Sequence, residues 1–164
     1  MIFGLGLPRT GTSSIAIALR KLGFRGKNYC LIHNDKVDDD LLESYNKFDI
    51  NNSNYLNYKS IYYNSTSSTK YILTTRDRLS WRDSINKFKD ISCFEINKLP
   101  DVIDYENEVK FFFKKNNALD KLLVINLKRI NWVILSEFLE VEIPYDIGNF
   151  PHIYSRKIQK KKFN

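Results

Sequence analysis

The chain begins MIFGLGLPRTGTSSIAIALRKLGF, residues 1–24, where a short apolar run meets a glycine-rich loop and then a segment of helical periodicity. The run from Met1 to Leu5 predicts a buried strand, and Thr12 to Leu22 predicts a helix that stops at Gly23. Backbone N–H groups at such a junction converge on one point, and the helix dipole favours an anion there. This stretch therefore predicts a phosphate-binding loop between the first strand and the first helix.

The loop differs from that of nucleotide-hydrolysing proteins at one position. Gly6 and Gly11 have the spacing of the Gly-x4-Gly-Lys-Ser/Thr signature, but Thr12 stands where lysine is expected. That lysine normally contacts the outer phosphates of a triphosphate, so hydrolysis of ATP or GTP is not expected. Arg9 returns a cation to the loop, and a guanidinium can bind phosphate or sulfate oxygens through a fork of two hydrogen bonds.

The predicted anion ligands of the loop combine this cation with backbone and hydroxyl donors. The alternative is a glycine-rich turn between strand and helix that binds no ligand. The predicted ligands are Arg9, Thr10, Gly11, Thr12, Ser13 and Ser14.

Apolar runs alternate with helical segments along the rest of the chain. Because the runs are continuously apolar, they favour a parallel sheet covered on both faces. The predicted fold is α/β, in three αβα layers around a central parallel sheet, of the P-loop nucleoside triphosphate hydrolase-like class. It forms a single domain over residues 1–164, with a basic tail from about residue 155. Further strands are predicted at 28–32, 70–75 and 121–127, and further helices at 38–48, 55–62, 77–90, 105–115 and 132–139.

A second polar group follows the strand KYILTT, in the stretch TRDRLSWRDS of residues 75–84. Ligands of open parallel sheets bind beyond the carboxyl ends of the strands, so Arg76 is expected at the same edge as the first loop. Ser84 lies eight residues later, just over two helical turns, near the face that Arg76 flanks. An arginine and a hydroxyl at one point suit a second phosphate. The alternative is an ordinary ion pair between Arg76 and Asp77 at the start of a helix.

Together these residues resemble the sulfotransferase family that uses 3′-phosphoadenosine 5′-phosphosulfate (PAPS) as the sulfuryl donor. Pro-Arg-Thr-Gly-Thr-Ser, residues 8–13, resembles the family's 5′-phosphosulfate loop in a variant with arginine for lysine. Arg76 and Ser84 match the family's 3′-phosphate arginine and serine, within Arg-Asp-x-x-Ser-Trp-x-x-Ser. Later segments are similar to one branch of the family in the same order: 105–109, 111–113, 121–127, 132–139 and 150–152.

The resemblance implies transfer of a sulfuryl group from PAPS to a hydroxyl or amine of a small-molecule or glycan acceptor, without a metal. Arg9 would stabilise the charge that develops during transfer. The general base would be Asp49, near the place where that branch carries an aspartate before a proline, or His33, which follows the predicted second strand. Ser14 stands where cytosolic members often carry an aromatic residue that stacks on adenine.

The net charge of +7 is compatible with nucleic acid, an acidic membrane or a polyanionic small molecule as partner. Two other functions compete: a P-loop kinase that binds ATP with magnesium, and a binding module without catalytic activity that uses the basic tail. Nucleic acid is not the expected partner. No stretch reaches the ~20 apolar residues of a membrane span, and the start lacks a signal-peptide pattern. The expected location is cytoplasmic.

Overall fold

The computed structural model describes residues 1–28, 47–50, 54–87 and 96–152. Within these residues, strands and helices alternate along the chain, with short 3₁₀ turns at Ile96–Lys98 and Leu119–Lys121. The strands are β1 (Ile2–Gly4), β2 (Arg25–Asn28), β3 (Lys47–Ile50), β4 (Lys70–Thr75) and β5 (Leu122–Asn126). The helices are α1 (Thr12–Lys21), α2 (Asn54–Tyr63), α3 (Arg78–Asn86), α4 (Val102–Lys115) and α5 (Trp132–Leu139).

The strands form one parallel sheet in the order β2-β3-β1-β4-β5. The short strand β1 lies at the centre, where Ile2 pairs with Phe48 of β3 on one side and with Lys70 of β4 on the other. Parallel neighbours that follow one another in the chain require a crossover, and α3 and α4 lie in the crossover between β4 and β5. The predicted α/β class with a central parallel sheet is confirmed.

Helices cover both faces of the sheet and complete three layers. One core contains Ile15 and Leu19 of α1 with Leu135 of α5, and the strand residue Ile72 points into it. The other core contains side chains from α2, α3 and α4, and the flanking strand residues Tyr71 and Leu73 point into it. Successive side chains of a strand point to opposite faces, so β4 contributes to both cores and is buried on both sides.

Two boundaries predicted between β1 and α2 are wrong. The second strand begins at Arg25 and not at residue 28, and residues 29–32 of that prediction lie outside the described part. A helix was predicted over 38–48, but Lys47 and Phe48 belong to β3. In β3, buried Phe48 and Ile50 alternate with half-buried neighbours, as expected for a strand. Four residues are too few for this alternation to predict a strand from the sequence. Residues 38–46 also lie outside the described part.

Aromatic side chains fill the space between the sheet and the α2–α4 pair. Tyr58 packs edge-on against Tyr105 and Phe112, with ring centroids 6.1 and 5.3 Å away. The Tyr105 hydroxyl donates a hydrogen bond of 2.8 Å to the Leu5 carbonyl, one residue beyond β1. Burial raises the pKa of Tyr105 far above its ordinary value, so this phenol remains a donor at all ordinary pH values. The bond ties α4 to the segment that leads into the glycine-rich loop.

Side-chain caps begin three of the helices. Asp77 accepts from the Ser80 N–H at the start of α3, Asp101 from Ile103 before α4, and Asn131 from Ile134 before α5. The hydrogen bonds from Ser80, and then the ammonium of Lys128 at 3.2 Å, hold the pKa of Asp77 well below its usual range. The charged form of Asp77 therefore stabilises the start of α3.

Replacing Tyr105 by Phe should lower the free energy of unfolding by about 1–3 kcal/mol, because the buried Leu5 carbonyl loses its donor. Urea unfolding of the two proteins measures the difference. Tyr145→Phe is the matched control, since this side chain is fully exposed and its hydroxyl loss should leave the urea midpoint unchanged. Equal midpoints for all three proteins would contradict the structural role of the Tyr105 hydroxyl.

Replacing Asp77 by Asn should change the acid sensitivity of the protein more than its stability at neutral pH. Asn caps a helix about as well as Asp, so the two proteins should differ little near pH 7. A carboxyl whose pKa is lowered by folding stabilises the protein above its unfolded pKa and loses this effect as the pH falls toward the folded pKa. Between about pH 5 and about pH 2 the wild-type melting temperature should therefore fall more steeply than that of Asp77→Asn. Parallel curves would contradict this assignment.

Candidate functional site

The two polar motifs of the sequence meet at the carboxyl edge of the sheet, between β1 and β4. After β1 the chain passes to the face that α1 covers, and after β4 it passes to the face that α3 covers. Neighbouring strands whose connections leave in opposite directions create a crevice, and ligands of open α/β sheets bind in such crevices. The segments 5–11 and 76–77 border this crevice.

Backbone conformation shapes the first segment into a concave loop. Arg9 has φ 70° and Gly11 has φ 113°, both in the left-handed region, with Thr10 between them. Alternation of handedness turns successive N–H groups toward one side and makes an anion-binding concavity. For a residue with a side chain, such as Arg9, the left-handed region costs about 1–2 kcal/mol. Such a strained conformation persists only where surrounding contacts hold the backbone in place, and it occurs often at functional sites.

Thr10 anchors the loop to the sheet. Its buried hydroxyl donates a 2.6 Å hydrogen bond to the Leu7 carbonyl and lies 2.7 Å from the Thr74 hydroxyl of β4. A Cβ atom on Gly6 would lie 1.9 Å from that same Thr74 oxygen, so only glycine fits there. The sequence predicts Thr10 as a ligand residue, but in this structure its hydroxyl takes part in the packing of the loop.

Helix α1 begins in the loop without a side-chain cap. Gly11 is its N-cap residue and has no side chain to offer, and the first turn contains no acidic residue. The first N–H groups of a helix lack acceptors within the helix, and its N-terminus carries a partial positive charge. Thr12 and Ser14 are buried in this first turn and Ser13 is half-buried. Helices α3, α4 and α5 have side-chain caps, so α1 differs from them at the position where the sequence predicts an anion.

The side chain of Arg9 joins the two motifs. Its Nε donates a 3.1 Å hydrogen bond to the hydroxyl of Ser84, which is 75 residues away in the chain. Arg76 donates from Nη1 to the Arg9 carbonyl at 3.2 Å. The sequence predicts Arg9 for one anionic group and Arg76 with Ser84 for another. The structure brings all three residues together at one place.

The neighbouring arginines of α3 belong to a different group. Arg78 and Arg82 both pair with Asp101, at 2.9 and 3.3 Å. Asp77, the alternative partner predicted for Arg76, pairs with Lys128 instead. Arg76 is therefore the arginine of this segment whose side chain contacts the glycine-rich loop.

Asp49, one of the two predicted general bases, lies on β3 directly opposite Phe3 of β1. The amide of Asn54 at the start of α2 donates to the Asp49 carbonyl at 3.2 Å and to its Oδ1 at 3.4 Å, and also contacts the Gly4 carbonyl at 3.2 Å. The half-buried Asp49 carboxylate is thus held close to the end of β1. His33, the other predicted base, lies outside the described residues.

Some contributors to the site were missed in the sequence. Trp81 donates from Nε1 to the Pro8 carbonyl at 2.9 Å, a contact that the sequence does not predict. Leu127, just after β5, covers Gly11 so closely that a Cβ there would lie 2.6 Å from its Cδ1. The topological rule that points to Arg76 also points to the end of β5, so this second contributor could have been found.

Two further findings concern the described residues alone. In the described ranges, no group of three or more His, Cys, Asp or Glu side chains could hold a metal ion. Nor is any helix of the described part long and apolar enough to cross a membrane.

Comparison with protein families gives a match at the start of the chain. The model of the sulfotransferase domain family matches residues 1–47, a stretch that contains β1, the glycine-rich loop, α1 and β2. No curated protein shows significant similarity to the chain. The match supports a sulfotransferase, and with it a transferase activity in general terms. The resemblance to sulfotransferases that the sequence predicts is thereby confirmed, through this N-terminal stretch of 47 residues.

Proposed function

We propose that the chain is a PAPS-dependent sulfotransferase that moves a sulfuryl group to a hydroxyl or amine of a small-molecule or glycan acceptor. The hydrogen bond between Arg9 and Ser84 carries the proposal, because it joins the two motifs that would hold the two ends of the donor. The match to the sulfotransferase domain supports the same class of reaction.

The arrangement of donors suits a ligand with two separate anionic groups. The uncapped N-terminus of α1 and the loop of residues 6–13 would hold the 5′-phosphosulfate. Arg76 and Ser84 would hold the 3′-phosphate, and Arg9 lies between the two places. A triphosphate would need a cation at position 12, where this chain has a threonine.

The proposed chemistry is an in-line displacement at sulfur. The acceptor oxygen or nitrogen forms a bond to sulfur while the bond from sulfur to the bridging phosphate oxygen breaks. The electron pair leaves with 3′,5′-bisphosphoadenosine, and the acceptor proton passes to Asp49 or His33. Arg9 and the loop N–H groups would stabilise the charge that develops on the leaving oxygen, which is the largest contribution that such a site can make. Asn54 orients the Asp49 carboxylate beside the end of β1, which supports Asp49 in this role.

Isothermal titration calorimetry should detect tight binding of 3′,5′-bisphosphoadenosine and much weaker binding of ATP with magnesium. The loop lacks the lysine that contacts a triphosphate, whereas Arg76 and Ser84 would bind the 3′-phosphate of 3′,5′-bisphosphoadenosine. Equal affinity for both ligands, preference for ATP, or no binding of either would refute the proposal. Preference for ATP with magnesium would favour a P-loop kinase.

Replacing Arg76 by Ala should weaken binding of 3′,5′-bisphosphoadenosine about tenfold or more, because a charged hydrogen-bond donor to the 3′-phosphate is lost. Binding of adenosine 5′-phosphosulfate, which has no 3′-phosphate, should change little. Arg25→Ala is the matched control, because it removes an equal charge at the exposed first residue of β2. Arg25 lies at the amino end of its strand, opposite to the carboxyl edge where the proposed site lies. An equal loss for both ligands would mean that Arg76 does not recognise the 3′-phosphate.

A further inference from the structure

We propose that Trp81 is a positioning residue of the phosphate loop. Its indole N–H holds the Pro8 carbonyl, and through it the Pro8–Arg9 peptide, in the orientation that the loop needs to bind an anion. This inference rests on the proposed function, because it takes residues 6–13 as the anion site.

The contact is buried and well anchored on both sides. Trp81 is 5% exposed and its Nε1 lies 2.9 Å from the oxygen of Pro8, itself a buried residue. The indole belongs to the core between the sheet and helices α2–α4. The Trp81 backbone N–H donates to the Asp77 carbonyl at 2.9 Å, in the capped first turn of α3. The indole N–H is therefore a donor with a fixed position, and the Pro8 carbonyl of the loop accepts from it.

The Pro8 carbonyl is one of several loop carbonyls that accept from side chains. Carbonyl oxygens carry partial negative charge, so a loop that binds an anion must turn them away from the ligand and present its N–H groups. Side-chain donors that take up the carbonyls produce this arrangement and satisfy the buried oxygens. The pairs are Leu5 with Tyr105 at 2.8 Å, Leu7 with Thr10 at 2.6 Å, Pro8 with Trp81 at 2.9 Å and Arg9 with Arg76 at 3.2 Å.

The Pro8–Arg9 peptide is the place where such support matters most. A peptide is rigid and trans, so its carbonyl and the next N–H point in opposite directions and rotate together. Rotation of this peptide changes ψ of Pro8 and φ of Arg9, and the φ of 70° at Arg9 is strained. The strained value is held by Trp81 on the carbonyl before it and by Arg76 on the carbonyl after it. Without the indole N–H, rotation would relieve the strain and turn the Arg9 N–H to a different side of the loop.

The chain contains its own matched control. It has two tryptophans, and Trp132 also donates from Nε1 to a backbone carbonyl, that of Gly148, at 2.8 Å. Trp132 lies in the first turn of α5, and Gly148 belongs to the C-terminal segment that packs against it, so neither residue is part of the loop. Replacement by Phe keeps an aromatic ring at either position and removes only one indole donor and part of the ring.

Calorimetric titration of Trp81→Phe and Trp132→Phe with 3′,5′-bisphosphoadenosine and with inorganic pyrophosphate tests the inference. Trp81→Phe should bind both ligands about tenfold more weakly than the wild type, and Trp132→Phe should bind both within about twofold of it. A ¹⁵N-labelled wild-type protein provides a second measurement without any substitution. The indole N–H resonance of Trp81 should shift when either ligand saturates the loop, and that of Trp132 should stay in place.

Equal affinities for the two variants, or an unmoved Trp81 resonance at saturation, would overturn the inference. If Trp81→Phe does not fold, the resonance decides alone. Binding of pyrophosphate without preference for 3′,5′-bisphosphoadenosine would refute the proposed function and leave the role of Trp81 intact. If the wild type binds neither ligand, both proposals fail.

Discussion

The pairing of β1 with β4 is the constraint on which the rest of the site depends. Residues 2–4 pair with residues 70–72, and the Leu5 N–H continues the pairing with a 2.8 Å bond to the Ile72 carbonyl. Because the two strands are parallel neighbours, the segments that follow them start side by side. Because α1 and α3 cover opposite faces, the segments then diverge and leave a crevice. Two motifs that are far apart in the chain meet there as a result of this topology.

The basic residues near this edge have different partners. Asp101 forms ion pairs with Arg78 and Arg82 of α3. Asp77 forms an ion pair with Lys128, so these acidic groups neutralise cations that lie outside the loop. Arg9 donates a hydrogen bond to the Ser84 hydroxyl, and Arg76 donates one to the Arg9 carbonyl. The N-terminus of α1, which has no side-chain cap, adds a partial positive charge at the same loop.

From the sequence, the two motifs are expected at one edge of the sheet, but the contacts between their side chains are not predicted. The signature residues Gly6, Arg9 and Gly11, and the eight-residue interval from Arg76 to Ser84, could be read from the sequence because they depend on local geometry. Their contact could not, since it depends on strand order. The topological rule points to the end of β5, where Leu127 lies, but the contacts of Trp81 with Pro8 and of Leu127 with Gly11 form only when the sheet has brought separate elements together.

The sequence by itself determined the strand–loop–helix unit at the start, the parallel three-layer fold and the resemblance of the N-terminal stretch to the sulfotransferase domain family. These follow from apolar runs, glycine spacing and helical periodicity, which are local properties of the chain. Only the tertiary structure decided that residues 47–50 form a strand and that Arg9 reaches Ser84. A strand of four residues is stabilised by neighbours on both sides more than by its own sequence, and side chains 75 residues apart meet only after the sheet is assembled.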